Sequence, residues 1–277
     1  MNKCVYNTFN MNVGIYLNKR YFSDETIYAE TISRIFGGVC NTVNGYKDLD
    51  GLDVLFVLGG DGTILSVASE CAKRGVKIIG INYGHMGFLS EFEPDKLEEA
   101  VRLVKSGEFI TQSRSMLDIV CGENKYLALN DIVIQRNTSG TDFTNTVSVH
   151  AEIDGTTVDN FSSDGIIVST PTGSTAYSLA AGGSVLTPDI SAFILTPICA
   201  HSLHSRPVVF SDSSILEICP LNAVSPLALI VDGKVAGSVK NGEKVIIKKS
   251  EHTVDFITKD DKNFFSKLLI KLNIWSK

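Results

Sequence analysis

The chain has 277 residues, of which 44% are hydrophobic and 20% are charged, and its formal net charge is −6 at pH 7. This length is typical of two domains, since one domain usually takes about 100–200 residues. The apolar content excludes intrinsic disorder as a description of the whole chain. No apolar run approaches the roughly 18–20 residues that a membrane span requires, and the first residues are not expected to be a secretory signal.

Basic residues are too scattered to suggest a nucleic-acid partner. They cluster only as the pairs Lys19-Arg20, Lys73-Arg74 and Lys248-Lys249, whereas nucleic-acid binders normally carry a basic patch or stripe. Anionic small molecules remain open, because a site can be locally positive in an acidic protein. We therefore expect small-molecule partners, with neither nucleic acid nor membrane.

The six cysteines do not suggest a disulfide framework. They are scattered along the chain and none forms C-x-x-C, so we expect reduced thiols in a cytoplasmic protein. For His201 and His204, which stand three residues apart, we favour ordinary polar histidines over metal ligands. The sequence thus predicts no protein metal site.

Residues 11–113 show the alternation of strands and helices that is typical of an α/β domain. The preceding residues 1–10 are polar and unpatterned, and we interpret them as an extension before a start at Met11. Continuous apolar runs next to helical patterns predict buried strands in a parallel sheet. The predicted elements are a strand at 12–17, a helix from an N-cap at Ser23 to Phe36, a strand at 54–58, a helix at 64–74, a strand at 76–81 and a helix at 94–106.

Strand-like segments dominate from about residue 114, and residues 114–257 are predicted to form a mostly β domain. Asp154-Gly155 and Asp232-Gly233 each separate two strand-like runs, which is a hairpin signal. The amphipathic stretch at 264–275 is expected to return to the first domain, so that residues 258–277 dock on it. The predicted strands are 116–121, 126–135, 146–153, 165–169, 214–218, 228–231 and 244–248, with one helix at 176–181.

A glycine-rich motif, Gly59-Gly60-Asp61-Gly62-Thr63, lies between a buried strand and a helix. Ligands bind at the carboxyl ends of parallel strands, and a helix N-terminus offers N–H groups to phosphate. A carboxylate would repel phosphate there, but it makes sense as a base that takes a proton from a hydroxyl. We therefore favour Asp61 as the general base of a phosphoryl transfer, with Gly59, Gly60 and Thr63 in a phosphate loop. The alternative is an aspartate that caps the helix.

The usual nucleotide motifs are absent, since the chain contains neither G-x-x-x-x-G-K-[ST] nor G-x-G-x-x-G. A second glycine-bearing loop, residues 82–89, offers Phe88 either for stacking on a base or for burial. Asn130 and Asp131 interrupt an apolar strand. Asn can pair with an adenine edge and Asp can accept hydrogen bonds from ribose hydroxyls; a bulge or turn is the alternative.

The most distinctive segment, residues 164–183, joins a strand to a small-residue helix through a hydroxyl-rich turn. Ordinary capping needs one or two hydroxyls. The excess favours a polar ligand over a solvated helix cap. The hydroxyl-bearing residues are Thr170, Thr172, Ser174, Thr175, Tyr177 and Ser178.

Together these segments resemble the ATP/polyphosphate-dependent NAD kinases, from about residue 12 nearly to the end of the chain. The matching pieces occur in family order, and they include HSLHSRP at 201–207. TPTGSTAYSLAAGG is very specific, whereas GGDGT has close relatives in diacylglycerol and sphingosine kinases and in phosphofructokinases. The resemblance implies an α/β domain, a mostly β domain and NAD in the cleft between them. It also implies phosphoryl transfer to the 2′-hydroxyl of the adenosine ribose of NAD, giving NADP.

The resemblance further implies roles for individual residues. Asp61 matches the proposed general base, and Gly62 would approach the ligand through its backbone. ATP or polyphosphate is the implied donor, with Mg²⁺ carried on its phosphates, and family members are commonly homodimers or homotetramers. The residues that match the NAD site are Phe88 at a wall of the adenine site, Asn130 and Asp131 at the adenosine, Thr175, Ala176, Tyr177 and Ser178 in the dinucleotide pocket with Thr172 close by, and Asp164 at the nicotinamide end.

Three positions differ from many family members. Lys234 stands where many have Gln, so it is a further candidate for NAD binding, with a hairpin flank as the equal alternative. Asp131 replaces Glu and keeps the carboxylate, and Ser162 replaces an Arg of some members, which leaves preference between NAD and NADH open. Two other functions remain open: a lipid or sugar kinase, which would lack the 170–183 segment, and a non-catalytic NAD(P)-binding sensor, for which Asp61 is unfavourable.

Overall fold

The computed structural model describes residues 11–18, 26–83, 87–137, 146–202, 204–259 and 264–275. The N-cap predicted at Ser23, residues 84–86 of the second loop and Leu203 of HSLHSRP lie outside the described residues. In chain order the elements are β1 (Val13–Leu17), α1 (Thr26–Phe36), β2 (Cys40–Thr42), β3 (Val54–Gly59), α2 (Asp61–Arg74), β4 (Lys77–Asn82), α3 (Leu97–Ser106), β5 (Ile110–Cys121), β6 (Asn124–Ala128), β7 (Asp131–Gln135), β8 (Val147–Ile153), β9 (Thr156–Ser163), β10 (Gly165–Ser169), α4 (Tyr177–Ala180), β11 (Ala192–Ile198), β12 (Val208–Ser211), β13 (Leu216–Leu221), β14 (Leu227–Val231), β15 (Lys234–Val239), β16 (Val245–Thr258) and α5 (Phe264–Trp275).

The chain divides into two compact units. Unit 1 comprises Met1–Arg114 with Thr253–Lys277, and unit 2 comprises Ser115–His252. The strand β16 therefore contributes residues to both units, and α5 belongs to unit 1.

Unit 1 contains a parallel sheet in the order β2-β1-β3-β4-β16. The apolar run of β3 is buried along its whole length, as expected for a strand covered on both faces. α2 ends at Gly75, whose left-handed conformation (φ 69°) suits glycine at a helix C-terminus. Gly59 at the end of β3 is opposite Asn82 at the end of β4. Both predicted loops of this domain therefore begin at the same edge of the sheet.

Unit 2 is mostly β. One antiparallel sheet has the order β12-β11-β10-β7-β14-β15, and other strands pair as β13-β8-β9 and β5-β6. One apolar core takes residues from both sets of strands, including Val149, Ile166 and Leu216. The pairing of β7 with β10 places Asp131 opposite Ser169. The hydroxyl-rich turn after β10 therefore starts next to Asn130-Asp131.

The predicted fold class is confirmed: one unit is α/β with a parallel sheet and the other is mostly β. Two boundaries differ in ways that matter for the site. α2 begins at Asp61 rather than at residue 64, which puts the carboxylate in the first helical turn. The strand predicted at 126–135 is two strands, β6 and β7, separated just before Asp131. No helix among the described residues is long and apolar enough to cross a membrane.

Candidate functional site

Asp61 is held in place by the loop that follows β4. It is the first residue of α2, where the helix dipole favours a negative charge. Its carboxylate accepts hydrogen bonds from the backbone N–H groups of Phe88, at 2.8 Å, and Leu89, at 3.2 Å. The Asp61 side chain is nevertheless 28% exposed. The carboxylate is therefore fixed in direction and still open to a reacting group.

Gly87 allows the loop to approach Asp61 closely. A Cβ atom at this position would overlap the Asp61 carboxylate, so a larger residue would force the loop or the carboxylate to move. The close approach brings the N–H groups of the next two residues, Phe88 and Leu89, to the carboxylate oxygens.

Of the other residues in the glycine motif, Gly59 and Thr63 pack against each other, whereas Gly60 and Gly62 have open space beside them. A Cβ atom on Gly59 would overlap the side chain of Thr63. Thr63 is buried, and its hydroxyl accepts a hydrogen bond from Asn18 Nδ2 at 3.1 Å. Gly60 is half-buried and Gly62 is exposed, with open space where their Cβ atoms would be. The backbone at the start of α2 is thus accessible to a ligand, as the phosphate-loop prediction requires.

The helix α5 supplies a cation and an aromatic ring to the region around Asp61. Lys271 Nζ lies 3.6 Å from Asp61 Oδ2 and 4.3 Å from the centre of the Phe88 ring. The rings of Phe88 and Phe264 have centres 6.1 Å apart. The sequence alone does not indicate Lys271, because no local pattern in α5 relates it to a loop in the first part of the chain.

In unit 2, Asp232 organises the backbone around Asn130 and Asp131. Its carboxylate accepts hydrogen bonds from the N–H groups of Leu129, at 2.9 Å, Asn130, at 2.7 Å, and Asp131, at 3.2 Å. Asp232 has a left-handed backbone (φ 46°) in the hairpin between β14 and β15. The hairpin signal at Asp232-Gly233 was therefore correct, but the sequence did not show that the side chain binds a distant loop.

Asn130 and Asp131 present unusual polar groups at this position. Asn130 Oδ1 is buried and, within the described part of the chain, has no hydrogen-bond partner. Such an acceptor is uncommon in folded proteins, and it is open to a donor that the chain itself does not supply, either water or a ligand. Burial, together with the charge of Asp232, raises the pKa of the Asp131 carboxyl to about 7. Burial also raises the pKa of Asp232, against the effect of its three backbone N–H donors.

Several hydroxyls of the 164–183 segment are used within unit 2. Ser174 Oγ donates to the Pro171 carbonyl at 2.6 Å and accepts from the Leu186 N–H at 3.0 Å. These contacts hold the turn and account for much of the hydroxyl excess without a ligand. Further pairs include Thr170 with the Leu129 carbonyl at 2.6 Å, Thr175 with the Thr172 carbonyl at 3.3 Å and Ser178 with the Thr196 hydroxyl at 3.0 Å.

Gly173 joins this turn to Asn130. A Cβ atom at Gly173 would overlap the backbone of Asn130, and the Thr170 N–H donates to the Asn130 carbonyl at 2.9 Å. The hydroxyl-rich turn and the Asn130-Asp131 pair are therefore parts of one packed cluster.

The remaining residues predicted to bind NAD are more exposed. Tyr177 is 42% exposed, and its pKa is raised by partial burial and by negative groups that include Asp164. Asp164 forms an ion pair with Arg136 at 3.0 Å, and no sequence pattern predicted a role for Arg136. Ala176 is half-buried, and Lys234 is exposed at the first position of β15.

The predicted site residues thus fall into two sets, one in each unit. In unit 1 the set comprises the glycine motif that contains Asp61, and Phe88, whose N–H donates to the Asp61 carboxylate. In unit 2 the set comprises Asn130, Asp131, Asp164, Thr172, Thr175, Ala176, Tyr177, Ser178 and Lys234.

Comparison with known proteins identifies relatives over nearly the whole chain. The model of the ATP-NAD kinase N-terminal domain matches residues 16–109, and that of the C-terminal domain matches residues 129–259. An NAD kinase of Clostridium perfringens is 35% identical over 268 residues, which cover 95% of this chain and 92% of the relative. An NAD kinase of Carboxydothermus hydrogenoformans is 37% identical over 226 residues, which cover 80% and 79%.

Solved structures give the same result. An NAD kinase from Archaeoglobus fulgidus, solved in complex with ATP, has a TM-score of 0.80 and 25% identity and covers 95% of this chain and 99% of that chain. Yeast NADH kinase, solved with NADH, has a TM-score of 0.81, and the match covers 97% of this chain and 89% of that chain. At 23% identity it supports the fold alone. On the domain models and the sequence relatives, the chain belongs to the ATP-NAD kinase family of phosphotransferases.

Proposed function

We propose that this protein phosphorylates the 2′-hydroxyl of the adenosine ribose of NAD to give NADP, with ATP as the donor and Asp61 as the general base. Phosphorylation of NAD to NADP with ATP is the reaction of the family to which the chain belongs. The observation that carries the assignment of the base is the Asp61 carboxylate, fixed by two backbone N–H groups and still partly exposed at the start of α2.

The proposed step is a displacement at the terminal phosphorus of ATP. The ribose 2′-oxygen forms a bond to that phosphorus while the bond from phosphorus to the bridging oxygen breaks, and ADP leaves. The hydroxyl proton passes to Asp61, because a neutral ribose hydroxyl is a poor nucleophile. The open space beside Gly60 and Gly62, at the N-terminus of α2, suits the approach of a phosphate. The protein otherwise contributes positioning and electrostatic stabilisation.

We assign the adenosine of NAD to the cluster around Asn130. The unpartnered Asn130 Oδ1 fits a donor such as the exocyclic amine of adenine, and Asp131 offers a carboxyl to a ribose hydroxyl. Phe88 is assigned to a wall of the adenine site and Asp164 to the nicotinamide end. The dinucleotide pocket is assigned to Thr172, Thr175, Ala176, Tyr177 and Ser178, with Lys234 as a further contact.

We further propose that Mg²⁺ arrives on the phosphates of ATP, where it would offset their negative charge. The Asp61 oxygens already face two N–H donors and the Lys271 ammonium, which leaves less room around them for a metal ion. No group of three or more His, Cys, Asp or Glu residues is placed to hold a metal ion in the described ranges. That the protein has no metal site of its own stays a prediction.

A cytoplasmic location and a homodimeric or homotetrameric state complete the proposal. The location is supported by free thiols, which are typical of reducing compartments. They belong to Cys40, Cys71, Cys121, Cys199 and Cys219. The oligomeric state rests on the family resemblance, and light scattering of the purified protein would measure it.

The test is NADP formation by purified protein with NAD, ATP and Mg²⁺, compared with Asp61→Asn. We expect the variant to lose at least about a hundredfold in kcat, because it lacks the base, while keeping NAD affinity in calorimetric titration. The same change at the exposed Asp95 is the matched control and should leave kcat unaltered.

Each other result points elsewhere. Unchanged NADP formation by Asp61→Asn would disprove the assigned base. No NADP from the wild type would require polyphosphate as donor and then NADH as acceptor to be tried. NAD binding without any phosphorylation would favour a dinucleotide sensor.

A further inference from the structure

One face of α5 is directed at the loop that holds Asp61. Phe264, Lys267 and Lys271 are spaced at i, i+3 and i+7, which places them on the same side of a helix. Lys267 Nζ lies 3.0 Å from the Ser90 carbonyl and 2.9 Å from Glu91 Oε2. The Lys267 and Glu91 side chains are only 21% and 10% exposed. Lys267 is therefore a direct, largely buried anchor of α5.

Lys271 is placed differently from this anchor. Its ammonium is 3.6 Å from Asp61 Oδ2, which is longer than a normal hydrogen bond. Its other contact is with the face of the Phe88 ring, an attraction to the π-system. Neither contact is a direct hydrogen bond to a carboxylate or carbonyl oxygen, so these contacts do not use up the three N–H donors of the ammonium. The Lys271 side chain is nevertheless 16% exposed, which is low for a lysine.

The proposed reaction creates a need for a cation at this place. A donor phosphate must come close to a hydroxyl that lies within reach of Asp61, so two negative groups are brought together. A nearby ammonium lowers that repulsion, and it can also form charge-assisted hydrogen bonds with phosphate oxygens. Lys271 meets both requirements, since it is a cation held beside Asp61 by an aromatic face rather than by a closed ion pair.

We propose that Lys271 binds the terminal phosphate of the phosphoryl donor and offsets the negative charge of Asp61 during transfer. The ammonium keeps its proton throughout, and the bonds that form and break are those of the displacement at phosphorus. The inference rests on the proposed function. It adds to that function a residue of the C-terminal helix, which lies outside both matched family models.

The test compares Lys271→Met, Lys271→Arg and Lys267→Met with the wild type, all as full-length protein. Initial rates are measured against ATP at saturating NAD, and NAD affinity is measured by calorimetry without ATP. For Lys271→Met we expect kcat/KM for ATP to fall about tenfold to a hundredfold, the range of one charge-assisted contact, with NAD affinity within about twofold. Lys271→Arg keeps the charge and should recover most of the loss.

Lys267→Met distinguishes phosphate binding from docking of α5. It removes the anchor, so we expect a lower thermal midpoint without a selective loss in kcat/KM for ATP. The inference is overturned if Lys271→Met keeps kcat/KM for ATP within about threefold of the wild type. It is also overturned if Lys267→Met reproduces the same selective loss, because docking of α5 would then explain both variants.

Inorganic tripolyphosphate separates a failure of this inference from a failure of the proposed function. Its binding to wild type and to Lys271→Met is measured by calorimetry, which needs no turnover. Weaker binding by the variant supports the phosphate contact even if the wild type makes no NADP. Equal binding by both proteins overturns the contact even if the wild type is an active kinase.

Discussion

Asp131 is a carboxyl group that the fold makes sensitive to pH. It is 5% exposed, and burial with the nearby Asp232 charge raises its pKa from 3.8 to about 7. A raised pKa means that the folded protein holds this proton more tightly than the unfolded chain does. The associated stability is fully present below about pH 4 and is lost as the pH rises through about 7.

Asp131→Asn should therefore change stability in a pH-dependent way. The amide stays neutral, so at about pH 8.5 the variant avoids a buried charge and is stabilised relative to the wild type. At about pH 5.5 Asp131 of the wild type is mostly protonated, so the stabilisation of the variant is smaller. Urea unfolding at both values measures the difference in free energy of unfolding between variant and wild type. A difference that is the same at both pH values would contradict the raised pKa. Asp95→Asn, at an exposed position, should show no such dependence.

The site residues that the sequence revealed differ in kind from those it missed. Asp61 was identified because the signal lies in its neighbours in the sequence: three glycines flank it between a predicted strand and a predicted helix. Asp232, Arg136 and Lys271 act through contacts between residues distant in the chain. A single sequence does not report such contacts, so only the folded chain shows them.

The hydroxyl-rich turn after β10 depends on Ser174 for its shape. The Ser174 side chain is fully buried, donates to the Pro171 carbonyl and accepts from the Leu186 N–H. Ser174→Ala leaves that N–H without its partner, and we expect a loss of about 1–3 kcal/mol in free energy of unfolding. Chemical denaturation measures the loss.

Ser169→Ala is the matched control for this prediction. Ser169 is equally buried, but its hydroxyl only donates to the carbonyl of Thr170, which also accepts the Ser174 N–H at 3.0 Å. Its removal therefore leaves the carbonyl with a partner and should destabilise the protein less. A loss at Ser174 no larger than at Ser169 would show that the bonds of Ser174 do not hold the turn.

Elements with a strong internal pattern were predicted best. The apolar run of β3 and the helical periodicity of α3 lie close to their predicted positions. β2, β11 and β12 have no counterpart among the predicted strands, and β9 and β15 were indicated only by the hairpin signals before them. β2 and β12 are short and partly exposed, but β11 is buried along its whole length, so exposure does not explain why it was missed. The predicted strand at 126–135 is interrupted because Asp232 binds the backbone there, which is a tertiary effect.

At the scale of the whole molecule, sequence and structure agree because two kinds of signal point the same way. Hydrophobic patterns indicate an α/β part and a mostly β part, and the motifs occur in the order of the two family domains. The patterns do not indicate how many hydroxyls of the 164–183 segment form hydrogen bonds within the protein rather than with a ligand. Binding of NAD is therefore best tested through its effect on the stability of the complete chain.

A ligand that binds only the folded chain raises the free energy of unfolding by about 2.7 kcal/mol at a hundred times its Kd. We expect NAD to have this effect on the wild type and on Asp61→Asn, in which only the base is removed. Asn130→Ala should behave differently. Without NAD its stability should stay within about 1 kcal/mol of the wild type, because the buried Oδ1 that it removes has no partner among the described residues.

At the same NAD concentration, the increase in free energy of unfolding should be at least about 1.4 kcal/mol smaller for Asn130→Ala than for the wild type. This difference corresponds to a tenfold weaker Kd for NAD. Urea unfolding of the three proteins with and without NAD measures these differences. An equal gain in Asn130→Ala would mean that the buried acceptor does not bind the dinucleotide. A large loss of stability without NAD would mean that Asn130 serves the fold, since an unpartnered oxygen cannot account for it.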